Sequence, residues 1–156
     1  MYWGKDHLKG MWKQVELDGV RYSFVKNKTN GFIFASVNRV LDFDVEEIEI
    51  PEVVNDCPVI EIGSFSFSNC RELKKVVLPQ CIMHISTKAF YACEKLSEIN
   101  VPQMLKEIHW EAFEDCYSLE KIDIGPEVKI EEGAFTNCPL EEQYKEKYIS
   151  RRDMYK

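Results

Sequence analysis

The sequence predicts an α/β repeat: a short solenoid with a parallel β-sheet, closed by an N-terminal β-hairpin and a C-terminal helix. Three observations predict it. The stretch AFYACEKLSEINVP (89–102) returns as AFEDCYSLEKIDIGP (112–126). Pairs of alternate apolar residues, each closed by a proline, recur with it. Tight-turn dipeptides precede the repeats, and a tyrosine stripe behind a proline follows them.

The repeat is read from its columns. Phe67, Phe90, Phe113 and Phe135 are 23, 23 and 22 residues apart. Cys70, Cys93, Cys116 and Cys138 keep the same steps, as do Ile62, Ile85, Ile108 and Ile130. Val45, Leu73, Leu96 and Leu119 follow at 28, 23 and 23. A period of this length marks a solenoid of the leucine-rich class, in which one coil cannot bury its apolar face without neighbours. Four coils then span 45–138, with residues 1–44 and 139–156 as caps.

Each coil has a physical reading. Ile48/Ile50, Val76/Leu78, Ile99/Val101 and Ile122/Ile124 place two alternate side chains on one face of a short strand. Pro51, Pro79, Pro102 and Pro126 end those strands because proline has no N–H for the ladder; Gly125 is inserted before the last. A turn leads to the isoleucine, and a short helical turn then carries Phe and Cys on one face at i, i+3. The first coil holds five extra residues within EVVNDCPVIE, expected to bulge outward as a loop. Phe135, nearer the end of the stack, is expected to matter less to stability than Phe113.

The pattern I-x-x-x-A-F-x-x-C-x-x-L-x-x-V-x-I-P resembles the BspA-like leucine-rich repeat family over roughly residues 45 to 138, and IPEVVNDCPVIEIGSFSF resembles the longer first coil of that family. The resemblance implies a parallel-sheet solenoid and a role in binding or adhesion, often at cell surfaces. The glycine usual after the isoleucine stands only at Gly63; Ser86, His109 and Glu131 replace it.

Caps follow from the exposed ends of any solenoid. Upstream, Asp18-Gly19 and Asn30-Gly31 are turn signals. The runs beside them alternate (Val15, Leu17; Val20, Tyr22, Phe24; Phe32, Phe34), predicting a hairpin cap over 12–37. Downstream, Pro139 suits a helix start and Asn137 its cap. Leu140, Tyr144 and Tyr148 share a stripe and Glu141–Lys145 pairs favourably, predicting a helix over 139–149 with a frayed tail beyond.

Composition excludes some partners. A net charge of −7 argues against nucleic acid or an anionic membrane surface, both of which need clustered Lys and Arg. No apolar run approaches the roughly 18 residues of a membrane span. The opening MYWGKDHLKGMWK has no apolar core of a signal peptide. A cytoplasmic location follows if that start is native; a cell-surface or secreted one follows if a leader was removed.

Chemistry is sparse. Stacked coils are about 4.8 Å apart, so four column cysteines form a line that cannot surround a zinc ion. They read as buried thiols. Cys57 and Cys81 fall outside the column and could face each other on adjacent coils, as a disulfide or as free thiols. His7, His84 and His109 show no metal-binding helical spacing. Cys81 and His84 could form a thiol–imidazole pair, but no orienting third residue accompanies them, and solvated turn residues are the ordinary reading. The acidic run DFDVEEIEIPE lacks a calcium-loop pattern. No phosphate loop, nucleophile elbow or dinucleotide fingerprint is present, so no cofactor is expected.

The outward strand positions remain: Glu47, Glu49, Lys75, Val77, Glu98, Asn100, Lys121 and Asp123. They form a sheet surface of both charge signs, the expected binding face for a protein partner. Tyr91, Trp110 and Tyr117 form a second candidate patch, unless they pack between coils. The sequence thus reads as a non-catalytic binding module. A self-assembling unit pairing through its caps, as a homo-oligomer, is the alternative, and a thiol-dependent enzyme is the remotest reading.

Overall fold

The computed structural model describes residues 14–156. His7 and the first two positions of the hairpin expected at 12–37 lie outside the described residues. The described residues open on an antiparallel meander, β1 (Val15–Leu17), β2 (Val20–Lys26) and β3 (Ile33–Val40). Asp18 and Gly19 both take positive φ, 48° and 77°, as the two-residue turn between twisted strands requires. The alternation read for β3 is reversed. Ala35 and Val37 point inward, each 0% exposed, while Phe32 is 47% exposed. The cause is tertiary: β3 pairs antiparallel with β2 on one side and parallel with a later strand on the other. That double pairing fixes which face is buried.

The expected strand column forms a three-stranded parallel sheet of β4 (Glu47–Glu49), β7 (Lys75–Val77) and β9 (Glu98–Ile99). Ile122 and Ile124 continue the buried row without joining the ladder. The larger sheet runs through the isoleucine column, which the sequence reading makes a turn. Here β3, β6 (Cys57–Ile62), β8 (His84–Ile85), β10 (Glu107–Ile108), β11 (Lys129–Glu131) and β12 (Tyr148–Ile149) pair in parallel, in that order. Most of its repeat strands have a single inward residue, so no alternation marks them in the sequence. The five extra residues of the first coil also differ from expectation. They build a hairpin of β5 (Val53–Val54) with β6, turned at Asn55-Asp56, where φ is 47° and 61°. Val54 and Cys57 are thereby buried rather than carried outward.

The phenylalanine and cysteine columns form files down the core, as the spacing predicts. The rings of Phe67, Phe90, Phe113 and Phe135 stack at 4.8, 5.2 and 5.3 Å, all 0% exposed. The backbone that carries them is not helical. Amides alternate between their own turn and the next coil: Cys93 N–H bonds to Phe90 O, whereas Phe90 N–H bonds to Ala112 O at 2.8 Å and Ala92 N–H to Glu114 O at 2.9 Å. Left-handed residues four apart, Lys88 and Ala92 or Glu111 and Asp115, turn the chain so that this alternation is possible. An α-helix would spend those amides internally and leave the coils unlinked.

The C-terminal cap is shorter in helix than expected. α1 spans only Glu141–Tyr144, followed by a 3-10 turn at Lys145–Lys147; Lys145 pairs with Glu142 at 2.7 Å instead of Glu141. Tyr148 then leaves the helical path to join β12 at the sheet edge. The tail expected to fray forms α2 (Arg151–Met154), with Met154 2% exposed. Tyr144 stacks on Phe135 at 5.1 Å, so Phe135 has an aromatic ring on both sides. Its proximity to the chain end therefore does not leave it half-packed, contrary to the sequence expectation.

Candidate functional site

Two surfaces carry polar side chains in register. The first is the outer face of β4, β7 and β9, where Glu47, Glu49, Lys75, Val77 and Glu98 point away from the core. Lys75 approaches Glu98 at 3.9 Å. A shallow groove of about 520 Å³ is lined by Lys75, Val77, Glu98, Asn100, Lys121 and Asp123; a second of about 220 Å³ adjoins Glu47 and Glu49. The eight positions named from the sequence therefore share one face. Asn100 has a further role there. Its amide accepts from Leu78 N at 2.7 Å and donates to Leu78 O at 2.9 Å, prolonging the ladder beyond β9 with side-chain atoms. That leaves one N–H and one oxygen lone pair of the amide for a partner.

The aromatic patch resolves differently. Tyr91 and Trp110 flank the Lys88 ammonium, which lies 4.6 and 5.3 Å from their ring centres. Glu111 meets the same ammonium at 2.9 Å and Glu114 at 3.7 Å. The Glu111 carboxylate holds Lys88 above its ordinary range, while burial, aided by neighbouring Glu111, pushes the Glu114 carboxyl up. Tyr91 and Trp110 thus pack between coils, and Tyr117 alone of the three stands 55% exposed.

The second surface is the outer face of the larger sheet, and sequence reasoning missed it. Because Ile62, Ile85, Ile108 and Ile130 point inward, the residues before and after each point outward. One row is Glu61, His84, Glu107 and Lys129; the next is Gly63, Ser86, His109 and Glu131. Ser86 Oγ donates to Glu61 at 2.7 Å. His84 Nδ1 lies 3.2 Å and His109 Nε2 3.3 Å from the same Glu107 oxygen, Oε2. Glu131 is 1% exposed, accepts from Trp110 N–H at 2.8 Å and faces His109 Nδ1 at 3.5 Å. The departures from the glycine column were the available signal. They stand where the first coil has Gly63, against which β3 packs so closely that a Cβ would meet Val37 O at 2.4 Å.

Four of the six thiols donate to backbone carbonyls. All six cysteines are free. Cys93 and Cys116 donate to Phe67 O and Phe90 O, each at 3.1 Å, tying adjacent coils. Burial pushes both far above the ordinary thiol range. Cys81 Sγ lies 3.2 Å from Val59 O rather than serving His84, and burial raises it too. Cys57 is a buried strand residue. His84 belongs to β8 of the larger sheet, not to a solvated turn.

Comparison with known proteins follows this geometry. The BspA type leucine rich repeat region matches residues 42–151 in six copies. No curated protein matches the chain. Among solved structures, a leucine rich repeat protein of T. pallidum is 27% identical over 76% of this chain and 53% of its own, with a TM-score of 0.62. One from Bacteroides ovatus is 28% identical over 80% of this chain and 33% of its own, at 0.65. One from Bacteroides capillosus is 24% identical, covers 80% and 91%, and aligns at 0.68, a likeness of fold. The chain thus spans about half and a third of the first two.

Proposed function

Because the chain belongs to the BspA type leucine rich repeat family, we propose that it is a non-catalytic binding module that engages a protein partner through the outer face of β4, β7 and β9. One observation carries this reading. The groove there is lined by apolar Val77 and Ile99 together with charges of both signs, Lys75, Glu98, Lys121 and Asp123. Such a surface suits a peptide segment carrying both charge signs around an apolar side chain. Rigid coils hold the groove in shape before binding, which lowers the ordering cost of association.

Self-assembly through the C-terminal cap has less support. Tyr144 is 1% exposed and Tyr148 lends its hydroxyl to the backbone of Phe135, so both tyrosines are occupied within the chain. Among the described residues, no helix is long and apolar enough to cross a membrane.

A photo-crosslinking residue placed at Val77, and in a second variant at Glu132, tests the face against cells of the source organism. A discrete adduct at Val77 and not at Glu132 supports the reading. Equal labelling, or none at Val77, counts against it. Light scattering tests the alternative: a dimer that persists on dilution would favour self-assembly.

A further inference from the structure

The outer face of the larger sheet gathers two imidazoles around one carboxylate oxygen. Glu107 and His109 are two apart along one strand path, and His84 stands directly opposite Glu107 on the neighbouring strand. Register alone therefore puts three donors on one side of the sheet. His109 N–H bonds to Ile85 O at 2.9 Å, which holds the backbone of the third donor on the ladder. One ligand atom from each of His84, Glu107 and His109 lies within 4.8 Å of the other two.

The separations of the two imidazoles from the carboxylate oxygen fit one ion. Zinc takes nitrogen and oxygen ligands at about 2.0–2.2 Å in a tetrahedron, whose edges are then about 3.4 Å. The two nitrogen–oxygen distances here are 3.2 and 3.3 Å. Two histidines and a carboxylate also form a known donor set for zinc held by three protein ligands, with a fourth position left to solvent. The exposure gradient agrees: the His84 side chain is 36% exposed, Glu107 23% and His109 12%.

Glu131 supplies the independent observation. Its carboxylate is almost wholly buried, in a column where the first two coils have Gly63 and Ser86. Oε2 is engaged by Trp110 N–H and faces His109 Nδ1, while Oε1 has no hydrogen-bond partner, Arg151 Nε standing 3.8 Å away. A buried carboxylate behind an imidazole orients the ring and favours the tautomer with its proton on Nδ1. That tautomer leaves the Nε2 lone pair directed at the site, the state in which imidazole binds a metal.

We infer that His84, Glu107 and His109 bind one divalent transition-metal ion, zinc by donor chemistry, with Glu131 as the positioning residue behind His109. The site lies on a different face from the proposed partner groove and does not depend on it.

The experiment is titration of the full chain, first stripped with a chelator, with zinc followed calorimetrically and with cobalt followed by absorption. One ion per chain is expected. The cobalt complex should show the d–d bands of a low-coordinate nitrogen–oxygen site and no thiolate charge-transfer band. His84→Ala and His109→Ala should each weaken binding at least about 10-fold, and Glu131→Gln by about 10- to 100-fold with stoichiometry unchanged. Cys81→Ser should bind as the parent does. His84→Ala removes an outward side chain and leaves the core intact, so it decides the matter even if His109→Ala folds poorly. Unaltered affinity in His84→Ala, a thiolate band, or failure to saturate would each overturn the assignment.

Discussion

The hydroxyl of Tyr148 accepts the amide hydrogen of Phe135 at 3.0 Å. In the three preceding coils the same amide, of Phe67, Phe90 and Phe113, bonds to an alanine carbonyl of the next coil, each at 2.8 Å. At Phe135 the acceptor is instead a phenol of the segment that follows. Tyr144 does the same for the strand column: its hydroxyl donates to Ile122 O at 2.6 Å and accepts from Ile124 N at 3.3 Å. Two side chains thus terminate two ladders that backbone would otherwise continue.

Removing either hydroxyl should cost stability without changing the fold. Tyr148→Phe leaves one amide unpaired, worth about 1–3 kcal/mol. Tyr144→Phe loses two bonds at a fully buried position and should cost more. Urea unfolding of both variants measures the difference; an unchanged midpoint for Tyr144→Phe would contradict the capping role.

Phe113→Ala should cost about 3–5 kcal/mol, the usual price of a fully buried aromatic ring. Phe135→Ala should cost nearly as much, because Tyr144 supplies the ring that a fifth coil would have provided. A much smaller loss at Phe135, measured by the same unfolding curves, would show that the tyrosine packs too loosely to act as a substitute.

Gly63→Ala should destabilise by about 1–3 kcal/mol, the range for overpacking. The added carbon would meet backbone, Val37 O at 2.4 Å, which has no rotamer by which to withdraw. Ser86→Ala, one coil on, lacks this obstacle and should cost less. Thermal melts of the pair separate local crowding from the loss of a repeated glycine as such.

Alkaline pH should destabilise the protein ahead of general ionisation. Burial raises Cys70 and Cys138 from 9.0 to about 11, and Tyr148 from 10.0 to about 12. Between those values the unfolded chain has lost protons that the folded chain retains, so stability falls as pH rises. The stabilisation is complete below about pH 9 and is lost progressively toward 12. Two units correspond to about 3 kcal/mol for one group. Chemical denaturation at pH 8 and pH 10.5 tests the sign. In the folded state at pH 8, thiol reagents should reach Cys81 first, since it alone of the six is not buried.

Much of the molecule is legible in its residue order. The Phe and Cys columns could be read because each coil must place the same side chains in the same core layer, and a strict 22- or 23-residue step is the trace of that requirement. The eight positions on the outer face of β4, β7 and β9 followed from simple alternation. The larger sheet left no such trace, because strands such as His84–Ile85 have one inward residue and no second to define a period. With it went the grouping of His84, Glu107 and His109, which are up to 25 residues apart in sequence and meet only through strand register. The buried face of β3 was misread for a related cause: its neighbour β6 lies beyond the first coil's strand, outside any local window.

The residue order by itself determined the spacing of the coils and most of their inward residues. Tertiary structure decided which column becomes the main sheet, how the ends are closed and which outward side chains meet across strands. The division has one physical reason. Burial repeats with the coil and so leaves a period in the chain, whereas hydrogen-bond pairing between coils depends on distances that no single coil contains.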